Sequence, residues 1–385
     1  MLKAWPEGGP KLAWSYKASG TGYSACAVSG GRVYTLGAQG EDTFCVCLES
    51  ESGKELWKTN VGRASVLVDY NLGWGGGPRS TPTVDGNDVF ATTDLGIVFR
   101  INRQTGELIW KADLVGDFNG KVPTWGYSDS PLIDGDRVIV TPGGDNFMVA
   151  LDRSSGKKVW GSVGVSEIAQ YVSIMKGKVD NQDFYLTANK SGLLAVSPLS
   201  GEKLFGNDAT GNDVAVVPTP VIFGDYVYHT SAYNAGNVLL SLKASDSGID
   251  SEELYHETGK TMLNHHGGVV LVDGVIYGTT KAESGAWMAQ DVMTGEVLWS
   301  HKIGRNKSGS IAYADGRLYC YNDRDGSCYL VEPSRDGFQS KGSVALPQQT
   351  DIPRNKGAIW AHPVVADGKL IIRDQDLIFA FDVSE

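Results

Sequence analysis

The sequence predicts an all-β fold: an eight-bladed β-propeller of four-stranded antiparallel blades, the last blade closed by the N-terminal strand. Three observations carry this reading. First, a turn-and-aromatic phrase recurs. Ser52-Gly53 leads to Trp57, Thr105-Gly106 to Trp110, Ser155-Gly156 to Trp160, Ser200-Gly201 to Phe205 and Thr294-Gly295 to Trp299, the aromatic always four residues after the Gly. Self-similarity at a period of about 20–50 residues marks solenoids and propellers. Second, a Gly turn between two apolar strands recurs at Gly31, Gly86, Gly135, Gly177, Gly224, Gly274, Gly316 and Gly368. The gaps of 55, 49, 42, 47, 50, 42 and 52 residues each hold four short strands. Third, nothing reads as a long amphipathic helix, while segments such as Arg137–Val140 and Phe147–Leu151 are β-rich and separated by Gly143-Gly144.

Along the chain, the copy at Gly177 is the least regular, its turn running on through Asp180-Asn181-Gln182. The last unit ends at Leu377–Asp382 without a Gly-x-x-x-Trp strand. The N-terminal segment Leu12–Tyr16 supplies the missing outer strand, which removes an open edge that would invite aggregation. Residues 1–385 then form one propeller domain with no linker. The repeat residues Trp57, Trp110, Trp160 and Trp299 pack between neighbouring blades.

Composition narrows the function. The chain has 385 residues and 49 glycines, with 10 Trp and 16 Tyr, which suits many strands joined by tight turns. A formal charge of −11 argues against nucleic acid or an anionic membrane as partner. No apolar run approaches the roughly 20 residues of a membrane span. No signal peptide opens the sequence, so a periplasmic or secreted address requires a leader outside it. A monomer is expected. The five cysteines form no zinc-type spacing. Cys320 and Cys328 flank a hairpin turn and read either as buried thiols or as a cross-strand disulfide. Asp374-Gln375-Asp376 reads as a polar hairpin turn in preference to a cation site.

The unit Asp-x-x-Thr-Gly-x-x-x-Trp, followed by strand, Gly turn and strand, resembles the quinoprotein or PQQ-like repeat across residues 11 to 385. That family includes PQQ-dependent alcohol dehydrogenases and BamB-like scaffolds. The resemblance implies two directions. The dehydrogenases are longer and cap their quinone with a disulfide between adjacent cysteines; this chain has no Cys-Cys pair. Their calcium ligands, a Glu, an Asn and an Asp, match no positions here. In length the chain is closer to the BamB-like branch, which binds proteins and carries no catalytic site.

One set of residues is not explained by the repeats. The segments that lead into the innermost strands carry Trp74 and Arg79, Trp125, Tyr127 and Asp129, Gln170, His265 and His266, then Trp360 and His362. In a propeller these starts converge on one mouth of the central channel, a place for a small polar ligand or a protein partner. Trp74, Trp125 and Trp360 suit a flat ring or sugar face, and Arg79 suits a carboxylate. His266, Asp129 and His362 are the candidate catalytic bases. The histidines also suit a metal, but no metal set is assigned. The plainer readings stand beside these: the glycines around Trp74 shape a loop, only one of His265 and His266 can face the channel, His362 bonds a neighbouring blade, and the mouth is plugged by its own loops. No cofactor is certain; PQQ with Ca²⁺ is the option the resemblance raises. Three functions follow: an extracytoplasmic binding scaffold, a quinone-dependent alcohol or sugar dehydrogenase, and a carbohydrate-active enzyme, the last weakened because glycosidases generally need two placed carboxylates.

Overall fold

Alternation with a period of two sends successive side chains of one strand to opposite faces of its sheet. Here both faces are apolar, so each sheet has to be covered twice. The computed structural model describes residues 1–246 and 248–384 and contains eight four-stranded antiparallel sheets. Blades 1 to 7 run 27–63, 83–113, 132–161, 175–207, 221–257, 269–301 and 310–345. In each of these the strands follow chain order from the innermost to the outermost. Blade 8 takes three strands from 364–382 and its outer strand, Leu12–Tyr16, from the N-terminus. That strand pairs Leu12 with Phe381, Trp14 with Ala380 and Tyr16 with Ile378, so the expected closure is found.

The apolar core is distributed between blades. In blade 4, Phe184, Leu186 and Ala188 pack towards Val227, Val238 and Leu240 of blade 5. The intervening Tyr185 packs towards Ile139 and Ala150 of blade 3. The same rule settles the cysteines. Cys320 pairs in register with Tyr329, and Cys328 with Tyr321. The two cysteines therefore point to opposite faces of blade 7, one towards blade 6 and the other towards blade 8. All five thiols are free and buried, so of the two readings of Cys320 and Cys328 the buried thiols hold and the cross-strand disulfide does not.

The Gly turns fall where the spacing puts them, with one exception. In blade 4 the turn is Asp180-Asn181, with Asp180 at φ 50°, and Gly177 lies inside the strand Met175–Val179. A side chain at Gly177 would run into the Phe184 ring, 2.3 Å from the added carbon. Gly177 thus serves packing and not the turn. Asp374-Gln375-Asp376 is a turn, with Gln375 at φ 54° and Asp374 paired with Arg354.

Neighbouring blades are fastened at their outer strands. The indole of Trp57 donates to Arg103 O of blade 2 at 3.1 Å, Trp110 to Arg153 O at 2.9 Å, and Trp160 to Pro198 O at 3.1 Å. Trp299 donates to Ser334 O and Trp14 to Ser50 O. The Tyr255 hydroxyl does the same to Val292 O. Each acceptor lies three residues before the turn Gly of the next blade. A carbon added to Gly53, Gly106, Gly156 or Gly201 would sit 2.5 to 2.8 Å from the indole above it. The Asp of the repeat holds that turn: Asp291 Oδ1 accepts from the amides of Met293 and Thr294.

At the seam between blades 8 and 1, Arg373 is fully enclosed. It donates to the carbonyls of Ser19, Gly20, Ser24, Leu36 and Gln375 and to Thr35 Oγ1. Burial lowers its pKa to about 10, so it stays charged at neutral pH, solvated by carbonyl dipoles. Arg373→Met should destabilise the protein by more than about 3 kcal/mol, because several carbonyls lose a buried charged donor at once. Urea unfolding of the variant beside wild type measures this.

Candidate functional site

Antiparallel blades place two kinds of loop on one side of the ring: the crossover from each outer strand to the next inner strand, and the turn between second and third strands. These loops enclose a central cavity of about 760 Å³. Trp74, Arg79, Trp125, His265, His266, Trp360 and His362 all line it. Local chemistry explains how they arrive. Gly75 at φ 100° and Gly77 at φ 84° let the crossover lie flat on residues 21–23, where a side chain would strike Tyr23 or Thr21 O. That holds Trp74 over the cavity, with its carbonyl accepting from the Tyr23 hydroxyl at 2.8 Å. The glycines do shape a loop, and the loop carries a lining residue.

Both histidines face the cavity. They lie in the irregular segment before blade 6, outside any strand, so strand alternation does not separate them. Their rings stack at 3.6 Å. His266 also meets Trp360 edge-on at 4.5 Å, and Trp360 stacks with Trp74 at 6.3 Å. His362 Nε2 lies 3.4 Å from His266 O, a contact between blade loops.

Three of the expected residues lie elsewhere. Tyr127 is enclosed between blades 2 and 3 and donates to Pro142 O. Gln170 is buried, bonded to Ala169 O and to the Val216 amide; the next residue, Tyr171, is the one that lines the cavity. Asp129 is fully buried against Thr141 Oγ1, and burial raises its pKa to about 6. It does not line the cavity, so it is out of reach of a ligand there.

The reading by inner-strand starts missed Tyr233, Lys281 and Arg324. They sit in the turns between second and third strands of blades 5, 6 and 7. Those turns share the side of the crossovers, and counting them would have found these residues.

The electrostatics are one-sided. Arg79, Lys281, Lys307 and Arg324 line the cavity, and among the described residues no Asp or Glu does. Arg79 is held by the carbonyls of Trp125, Gly77 and Gly75 at 2.7 to 3.3 Å. Burial lowers the His265 pKa to about 3, helped by the charges of Lys281, Lys307 and Arg324. Burial, then the neighbouring His265 and Lys281, holds His266 well below the usual histidine range. Both are neutral at physiological pH and weak as bases. The donor set does not suit calcium, which takes carboxylate and carbonyl oxygens; among the described residues no three His, Cys, Asp or Glu are grouped for a metal.

Fold and site together define an eight-bladed propeller with inter-blade aromatic clamps and a cationic, aromatic-lined central funnel. A family model described as outer membrane protein assembly factor BamB matches residues 41–301, and the chain belongs to that PQQ-repeat family. An outer membrane protein assembly factor BamB from Yersinia pestis is 24% identical over 343 residues, covering 84% of this chain and 77% of that protein. The crystal structure of BamB from Moraxella catarrhalis superposes with a TM-score of 0.64 at 15% identity, covering 93% of this chain and 94% of that one. A quinohemoprotein alcohol dehydrogenase from Comamonas testosteroni superposes with a TM-score of 0.63 at 12% identity, covering 97% of this chain and 76% of that one. At these identities the two structures speak for the fold alone.

His265 has a depressed pKa in the folded state, so its contribution is present above the unfolded value of about 6.5 and is lost as pH falls towards the folded value. Asp129, with a raised pKa, contributes in the opposite sense between its unfolded value and about 6. His265→Gln should therefore lose less stability than wild type on acidification from pH 7 to pH 5. Urea midpoints at the two pH values check this.

Proposed function

We propose that this protein is a BamB-like, extracytoplasmic binding scaffold whose partners are proteins of outer-membrane assembly, with residues 1–385 acting as one propeller. Family membership carries the reading, and one surface feature supports it. Successive crossovers from blade 1 to blade 5 each present an exposed large apolar residue: Leu67 and Val68 at 81% and 91%, then Val115, Ile168 and Val214. The first of these is a built projection. Arg63 grips Asp69 with two hydrogen bonds at 2.6 and 2.7 Å, and Asp69 Oδ2 also takes the Val66 amide. The apolar tip is thus held out into water by its own base. A run of exposed apolar residues along adjacent crossovers suits a protein surface.

The quinone alternative rests on the aromatic and cationic lining, where Trp74 and Trp360 would flank a flat ring and Arg79 would meet a carboxylate. Its calcium has no matching ligands in the funnel.

Photo-crosslinking groups at Leu67 and Val68 should yield adducts with an outer-membrane assembly protein in cells, and a group at Leu199, on the opposite side of the ring, should not. Equal adducts at all three positions, or specific PQQ-dependent dye reduction with an alcohol or sugar, would overturn the scaffold reading.

A further inference from the structure

The scaffold reading uses the exposed apolar residues of the crossovers and leaves the cationic lining of the funnel unexplained. Across that funnel from Arg79 stands a wall built by blades 5 to 7. Lys281 Nζ lies 4.2 Å over the Tyr233 ring and 3.5 Å from His265 Nε2. His265 is fixed at both nitrogens, to Ser308 Oγ at 2.7 Å and to the Tyr233 hydroxyl at 2.7 Å. Lys307 and Arg324 line the same cavity.

This charge is not locally compensated. Among the described residues no carboxylate lies within 4.0 Å of the amino group of Lys281 or Lys307, while Arg324 Nε is 3.7 Å from Asp323 Oδ2. Three cations against one carboxylate leave two positive charges on the wall. The chain as a whole carries 45 acidic against 34 basic residues, so carboxylates are plentiful, and among the described residues none lines this cavity. Like charges drawn together in a concavity oppose folding, and such local conflict concentrates at functional sites. The backbone carries a second sign. Tyr233 and Asn234 are both left-handed, at φ 60° and 67°. An aromatic residue is rarely found there, and held strain of this kind clusters at ligand sites. That turn carries the Tyr233 hydroxyl against His265, beside Lys281.

We propose that this wall is an oxyanion subsite. Lys281, Lys307 and Arg324 supply charge, and the hydroxyls of Tyr233 and Ser308, oriented by His265 between them, supply polar groups, for a multivalent phosphate or polycarboxylate group borne by a small molecule. Lysines serve such groups as point charges, and the arginine adds planar donors. The funnel focuses the field, so an acidic protein gains one locally attractive pocket for anions.

The test is calorimetric titration of the full chain with inorganic pyrophosphate and, separately, with citrate, followed in parallel by tryptophan fluorescence. Saturable binding of either is expected. It should weaken at least tenfold in Lys281→Met/Lys307→Met and stay unchanged in Lys302→Met, whose lysine does not line the cavity. Pyrophosphate alone would assign phosphate chemistry, and citrate alone polycarboxylate chemistry. The double variant relieves a repulsion, so its melting temperature should equal or exceed that of wild type, which separates lost affinity from lost folding. No saturable binding of either anion, or equal affinity in the double variant, overturns the proposal. Neither result bears on the crosslinking test, which needs no small molecule.

Discussion

No blade of this propeller has a core of its own. Each is a single sheet with two apolar faces, and each face is covered only by a neighbour. Every apolar cluster accordingly joins adjacent blades, as Phe184 and Leu186 of blade 4 do with Val238 and Leu240 of blade 5. Stability is therefore a property of the ring. Two devices enforce it. Outer-strand aromatics reach across to the carbonyl and Gly of the next turn, and the N-terminal strand completes blade 8, so that chain start and chain end share one sheet. Arg373 then ties blade 8 to the segment leading into blade 1. The positive φ at Gly53, Gly106, Gly156 and Gly201, between 69° and 75°, follows from this requirement. Only glycine combines that backbone conformation with an indole in contact.

A ring held at its rim frees the loops at its axis. The crossovers and second turns lie away from the outer-strand aromatics, so their side chains can depart from the repeat. They do so in one direction, towards aromatics and cations. Neutral, desolvated histidines complete a lining that offers hydrogen bonds without adding charge. The resulting funnel is chemically unlike the acidic exterior, and that contrast makes it a candidate binding site in a scaffold whose crossovers also present exposed apolar residues.

Much of the fold was legible because the constraint that builds it is local in sequence. An Asp-x-x-Thr-Gly-x-x-x-Trp phrase reports a turn, its side-chain anchor and an inter-blade contact within nine residues. Blade 8 was legible from what its last unit lacked. The turn of blade 4 was misread because Gly177 answers to the bulk of Phe184, seven residues on, which spacing does not reveal. The funnel was half legible. Trp74, Arg79 and Trp360 stood out against the repeat, but Tyr127, Asp129 and Gln170 sit in crossovers of the same kind and face the core. Lys281 and Arg324 look like ordinary turn residues until the ring brings blades 6 and 7 together. The adjacent histidines were judged by strand alternation, which does not apply in an irregular segment.

The account depends on the indole-over-glycine contact being the fastening between blades. A double-mutant cycle at the closing seam addresses this directly: Gly53→Ala measured in wild type and again in Trp14→Ala. The contact predicts strong coupling. Gly53→Ala should cost about 2–4 kcal/mol in wild type, combining backbone strain with overpacking. In the Trp14→Ala background it should cost only the backbone part, about 1 kcal/mol, because the ring it strikes is gone. An identical cost in both backgrounds would show that the glycine answers to the turn alone, and that the ring is fastened by something other than its outer aromatics.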